Sequence, residues 1–231
     1  MRMPDFAGFG PEMIGFLEDL RFHNEREWFQ ANQQRYERHL REPALAFIAA
    51  MAPRLATLSP ELRAEPKKVG GSLMRIFRDV RFSKDRSPYK TNLGIQLRHA
   101  AGKDVHAPGL YLHAEPGGVF LAGGVWHPAA EPLRQIRQAI ADRPERWRDV
   151  IDAPAFRSGW ALGGESLKRA PRGYDPEHPL IEELKRKDYI AVLEWPDAAI
   201  EGPDLPERAT AAWSQIQPLM RFLCDALGLK Y

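Results

Sequence analysis

Residues 109–126 read GLYLHAEPGGVFLAGGVW, two apolar runs around Glu-Pro-Gly-Gly. Alternation of period two marks a strand with one buried face. Pro116 presets φ at the second turn position, and Gly117 or Gly118 can take a positive φ. These runs therefore predict an antiparallel hairpin. Just upstream, NLGIQLRH alternates Leu93, Ile95 and Leu97, so the region 72–126 predicts an antiparallel meander. Gly123 and Gly124, late in the second run, point to a bulge or to close approach of another backbone or a ligand.

On both sides the period changes to that of a helix. Pro11 suits a first helical position, with Met13, Ile14, Leu17 and Leu20 on one stripe. Asn24 and Glu27 form an N-x-x-E capping pattern. Trp28, Asn32, Tyr36 and Leu40 follow at spacing four, and a third helix is expected from Pro43, with Phe47, Ile48, Met51 and Leu55 inward and Pro53 kinking or ending it. After the meander, helices are expected at 131–141 and 144–151, with Asp142 capping the second. ESLKR suggests a short strand, DPEHPLIEELKRK a turn and short helix, and DYIAVLEW a strand. Asp204 and Glu207 resemble a capping box for a last helix that Pro218 kinks and Gly228 ends. No linker interrupts this order. The expectation is one α+β domain over 11–228, a central antiparallel sheet (meander) packed by N-terminal and C-terminal helices.

Composition narrows the function classes. At 44% hydrophobic and 28% charged residues, the chain has the make-up of a folded protein. Its longest apolar run, ALAFIAAMA, is half of what a membrane-spanning helix needs, so no membrane partner is expected. The first residues, MRMPDFAGFGPEM, lack a secretory apolar core. The single cysteine, Cys224, excludes an internal disulfide framework and a Cys zinc site. A cytoplasmic location follows by default.

Charge is concentrated in RIFRDVRFSKDRSPYK, residues 75–90, which holds six bases against two acids. The whole chain is only +2, so the remainder is slightly acidic. One basic segment in a near-neutral chain suits an anionic ligand better than bulk duplex binding. The alternative is a surface network of ion pairs. As a strand, Met74, Ile76, Val80 and Phe82 share a face; as a helix, Leu73, Ile76, Phe77 and Val80 do. A strand to about Phe77 and then an irregular connection is preferred, since Ser87 precedes Pro88. Arg75, Arg81, Lys84, Arg86 and Lys90 could converge on an anion, with a hydroxyl from Tyr89, while Asp79 and Asp85 orient the arginines. For Arg78 and Asp79, internal pairing is the favoured reading.

Other chemistry is weaker. His99, His106, His113 and His127 cluster in the middle of the chain, and on a strand His113 and Glu115 would share a face. His-x-Glu lacks a third ligand here and H-E-x-x-H is absent, so no metal is assigned. His178 is read as a turn residue, and Glu182–Glu183 as a solvated face. Cys224 is read as inert core. Ser72 and Ser166 lie outside any G-x-S-x-G, and no nucleotide-binding glycine loop is present; no cofactor is implied. For Trp28, Phe29 and Tyr111 core packing is the simpler reading, while Trp126, after the glycine pair, is a candidate ligand contact.

RIFRDVRFSKDRSPYKTNLG closely resembles the hallmark of a bacterial and fungal family, domain of unknown function 2461 (DUF 2461), with motif R-I-x-R-D-x-R-F-[S/A]-K-D-K-x-P-Y-K-T. Arg75, Arg78, Asp79, Arg81, Phe82, Lys84, Asp85, Pro88, Tyr89, Lys90 and Thr91 stand at matching positions. Arg86 departs, Lys being common there; charge is kept and geometry is not. FHNEREWF, the glycine-rich hairpin and PRGYDPEHPLIEELKRKDY fit as well, so the resemblance covers roughly 11–228. It implies an α+β single domain and supplies no catalytic residue. The functional expectation is a basic loop, walled by the hairpin and aided by Trp126 and His113, that binds a small anionic or phosphorylated ligand. The alternatives are a nucleic-acid-binding module using the same segment, and a noncatalytic scaffold or partner-binding protein whose arginines are structural.

Overall fold

The computed structural model describes residues 5–81, 83–102 and 107–231. Six strands, β1 (Leu62–Arg63), β2 (Leu93–His99), β3 (Gly109–Glu115), β4 (Gly118–Val125), β5 (Ala161–Gly163) and β6 (Tyr189–Trp195), form one sheet in the order β1-β2-β3-β4-β6-β5. Every pairing is antiparallel. The hairpin forms as expected: Glu115 pairs with Gly118 around a Pro116-Gly117 turn, and Gly117 takes φ 77°. The glycine pair marks close approach and not a bulge, because the register runs unbroken to Gly109↔Gly124. Gly124 has φ 135°, and a Cβ there would lie 2.1 Å from the Tyr189 carbonyl oxygen. At Gly123 a Cβ would meet Ile216 Cδ1 at 2.5 Å.

Helices are α1 (Pro11–Phe22), α2 (Arg26–Ala31), α3 (Gln33–Tyr36), α4 (Glu42–Leu58), α5 (Ala130–Asp142), α6 (Pro144–Ile151), α7 (Pro154–Arg157), α8 (Ile181–Leu184), α9 (Leu205–Gln215) and α10 (Gln217–Ala226). Alternation along the strands buries Leu93, Ile95, Leu97, Leu110, Leu112, Ala114, Val119 and Leu121 on one face. Helical residues Phe16, Phe47, Trp147, Trp213 and Phe222 belong to the same core. Trp213 Nε1 donates to the Ala122 carbonyl at 3.1 Å, tying α9 to β4. The result is one α+β domain with N-terminal and C-terminal helices packed on the sheet. No helix among the described residues is long and apolar enough to cross a membrane.

The other face carries Gln96, Tyr111, His113, Phe120 and Val192, all partly exposed. Tyr111, Phe120 and Val192 are outside both the core and the apolar side chains packed against it.

Several local expectations give way to tertiary structure. No new helix begins at Pro43: α3 continues into α4 through a π turn over Glu37–Arg41. There Glu42 N–H bonds the Glu37 carbonyl; the wider turn lies just ahead of a proline with no N–H to give. Pro53 does not end α4, which runs to Leu58. Asn24 caps nothing, since Glu25 precedes α2 and no side chain caps it. Asp142 lies inside α5 and accepts from Gln138 at 2.7 Å. Asp204 stands at the start of α9, but its carboxylate accepts from Arg208 at 2.8 Å. The last helix breaks at Ile216, ahead of Pro218, and Gly228 with φ 68° follows its end. ESLKR contributes one bridge, Ser166↔Arg186. Phe82 and His106 lie outside the described residues.

Candidate functional site

The basic segment starts on the free edge of β2. Gln96 N–H bonds the Ser72 carbonyl at 2.8 Å, Met74 N–H bonds Gly94 at 2.9 Å, and Leu73 bridges Ile95. The chain then leaves the sheet and closes on itself. Arg78 N–H reaches the Pro88 carbonyl at 2.9 Å, Lys90 N–H reaches Ile76 at 2.7 Å, and Phe77 bridges Tyr89. In place of a regular strand to Phe77 there are thus two isolated bridges, and the described residues 79–81 and 83–87 form the tip of an irregular loop.

The base of this loop is anchored. Asn24 Nδ2 donates to the Tyr89 carbonyl and Asn24 Oδ1 accepts from the Tyr89 amide, both at 3.0 Å. The Tyr89 ring is 4% exposed and stacks on Phe29, centroids 4.1 Å apart at 17°. The tip is exposed and internally bonded. Arg81 donates to both oxygens of Asp79, at 2.9 and 2.7 Å. Arg78 pairs with Asp85, which also accepts from the Ser87 amide and hydroxyl at 2.9 and 2.6 Å. Arg78 and Asp79 are thus both internally paired, as expected, Arg78 with Asp85 and Asp79 with Arg81. Arg81 holds the Asp79 carboxyl down to about 2, first through its side chain and then its backbone N–H. Ser87, then Arg78, holds Asp85 well below the usual carboxylate range. Arg86 donates to the Val80 carbonyl at 2.9 Å.

Four cations of the segment remain without a carboxylate partner among the described residues: Arg75, Lys84, Arg86 and Lys90. Lys84 is exposed on the tip, whereas Lys90 is partly buried. Burial pushes the Lys90 ammonium below its ordinary value, and the charge of Arg75 pushes it further. Arg75, exposed, thus acts on both the Lys90 ammonium and the Asp79 carboxylate, and neither Arg75 nor Lys90 has a carboxylate within ion-pair distance among the described residues.

Trp126 is not part of this group. It follows Val125 at the far end of β4, 63% exposed and 4.4 Å from the His127 ring. The basic loop enters at Leu93, level with Ala114 and Val119 at the other end. Gly123 and Gly124 lie at the Trp126 end as well and face helix and strand. His113 is nearer the loop, on the open face of the sheet. Its Nδ1 is 3.2 Å from the Tyr111 hydroxyl, and its ring stacks on Phe120 at 4.5 Å and 9°. Its enclosed Nε2 has no hydrogen-bond partner; the nearest carboxylate oxygen, Glu115 Oε1, stands at 3.6 Å. Leaving such a group unpaired costs roughly 1–3 kcal/mol. Burial lowers the His113 pKa against the opposing pull of Glu115. Burial, helped by Glu115, pushes Tyr111 up to about 12.

Met74 and Gly94 complete this area. A Cβ on Gly94 would sit 2.7 Å from the Tyr111 hydroxyl and 3.0 Å from the Met74 sulfur. Sequence reasoning missed Asn24, Met74, Gly94 and Phe120. Strand alternation could have placed Gly94 and Phe120 on the face of Tyr111 and His113. The Asn24 contact spans 65 residues and leaves no local signal.

The remaining candidates have structural partners. His99 is buried, its Nε2 2.8 Å from the Lys230 carbonyl, and His178 Nδ1 accepts from Leu180 N–H at 3.0 Å. Cys224 is buried, which pushes its thiol up to about 12. No group of three or more metal-ligating side chains occurs among the described residues.

A family model, conserved hypothetical protein (DUF2461), matches residues 12–222. No curated protein and no solved structure matches the chain.

Proposed function

From the chain's membership of the DUF2461 family of conserved hypothetical proteins, which carries no activity with it, we propose that this protein binds a small anionic or phosphorylated ligand at the base of its basic loop. The observation that supports this is the pair Arg75 and Lys90. A partly buried ammonium with no carboxylate partner, beside a second cation, is unfavourable until an anion joins them. Arg offers a planar fork to phosphate or carboxylate and Lys a movable point charge. Arg81 and Arg78 are engaged by Asp79 and Asp85, so they shape the loop, and Lys84 and Arg86 on the tip add field. Tyr89 serves through its backbone and buried ring, holding Lys90 in place.

Thermal unfolding with inorganic phosphate, sulfate and simple carboxylates tests the reading. At least one should raise the midpoint by mass action. Arg75→Ala or Lys90→Ala should remove that rise while leaving the unliganded midpoint near the wild-type value. Since the anion needs Lys90 charged, and its pKa lies below the ordinary 10.5, affinity should fall with rising pH before an ordinary lysine titrates. If no anion shifts the midpoint and both variants unfold more easily, the cations are structural. If only nucleic acid binds, with affinity falling steeply in salt, the loop is a nucleic-acid contact instead.

A further inference from the structure

At the end of β4 away from the basic loop, a carboxylate is fully enclosed beside an exposed imidazole. Asp188 is 0% exposed. Its Oδ1 accepts from the His127 N–H at 2.7 Å and its Oδ2 from the Glu165 N–H at 2.9 Å. Gly164, with φ 90°, makes room for it: a Cβ there would lie 2.8 Å from Oδ2. The neighbouring ammonium, Lys187, is taken by Glu165 at 2.9 Å. The side-chain nitrogen that faces Asp188 is His127 Nδ1, 3.5 Å from Oδ1.

His127 is the one non-glycine residue with a positive φ, 48°, among those described. Glycine would take that backbone at no steric cost and still give Asp188 its N–H. The backbone bond alone therefore does not call for an imidazole. The His127 side chain is 56% exposed, its ring 4.4 Å from the exposed ring of Trp126. Its Nε2 has no hydrogen-bond partner among the described residues. A carboxylate beside Nδ1 keeps the proton of the neutral ring on that nitrogen and leaves a lone pair on Nε2.

We infer that His127 Nε2 is a nucleophile for activated acyl groups, with Asp188 as its positioning residue and Trp126 as the surface the substrate lies on. Glu165 and Asp188 against Lys187 disfavour an anion here, and the Trp126 ring suits a flat apolar body; a neutral aryl ester combines the two. Nε2 attacks the acyl carbon, the bond to the aryl oxygen breaks, and the phenolate leaves with the electron pair. The Nδ1 proton is lost through Asp188 to solvent. Water then cleaves the acyl-imidazole, releasing the acid and restoring the ring.

Release of nitrophenolate from p-nitrophenyl acetate by the whole protein tests this. The wild type should turn over, and mass spectrometry of quenched samples should find the acetyl group on His127. His127→Gln should lose the activity, and Asp188→Asn should lower kcat by roughly 10-fold or more with little change in KM. Trp126→Ala should raise KM more than it lowers kcat. Because Asp188→Asn also disturbs two backbone contacts, nitrogen-15 NMR of the wild type provides a readout that needs no variant: the neutral His127 ring should carry its proton on Nδ1. A proton on Nε2, acetyl groups only on other residues, or a His127→Gln variant as fast as the wild type would each overturn the assignment.

Discussion

Asn24 sets the position of the candidate site through one side chain. Its amide meets the N–H and the carbonyl of Tyr89, as a neighbouring strand would. Tyr89 in turn lies beside Lys90 and stacks on Phe29. Asn24→Ala leaves two backbone groups of a buried residue without partners. It should cost about 1–3 kcal/mol of stability, read from urea unfolding, and should weaken anion binding by loosening Lys90. An unchanged urea midpoint would show that the clamp is idle. Individual residues were legible in the sequence where their role is local. Gly117 at a Pro-Gly turn and Gly228 behind the last helix follow from backbone sterics alone. Asn24, Asp142 and Asp204 were misread as caps because each side chain had a stronger use: a distant backbone, a glutamine, an arginine. Local pattern contains the offer of a cap and not the competing partner.

Among the elements, the hairpin was the most legible, since strand alternation and turn chemistry agree over residues 109–125. The basic loop was the least, because its apolar residues suit a strand and a helix equally. Its shape comes from ion pairs and the Asn24 clamp, neither visible as periodicity. The acids of the tip make its order sensitive to pH. Asp79 is held near 2 and Asp85 lower still, against an ordinary value of 3.8. Lowered carboxylates stabilise fully above their ordinary pKa and lose that contribution as pH falls through the lowered one. The tip should therefore loosen between about pH 4 and 2. Limited pepsin digestion across that range should cut at 79–87 increasingly as pH falls; a cleavage rate there that does not vary with pH would contradict the pairing.

At the scale of the molecule, helices cover one face of the sheet and leave Tyr111, His113 and Phe120 on the other, with the basic loop at the end of that face. The sheet and its flanking helices follow from the hydrophobic pattern, because burying one face of a sheet requires helices on it. Which basic residues meet does not follow, since it depends on contacts far apart in sequence. Trp126 shows this: its setting behind two glycines looked like a pocket wall, yet strand direction carries it to the far end of β4. The central claim is that Arg75 and Lys90 form an anion site. Isothermal titration of inorganic phosphate into the wild type and into Arg75→Ala/Lys90→Ala, at fixed ionic strength, tests it most directly. The account predicts saturable binding in the wild type, none in the double variant, and an unliganded double variant at least as stable as the wild type, because a repulsive pair is gone. Identical isotherms, or a double variant that is less stable while the wild type binds nothing, would contradict it.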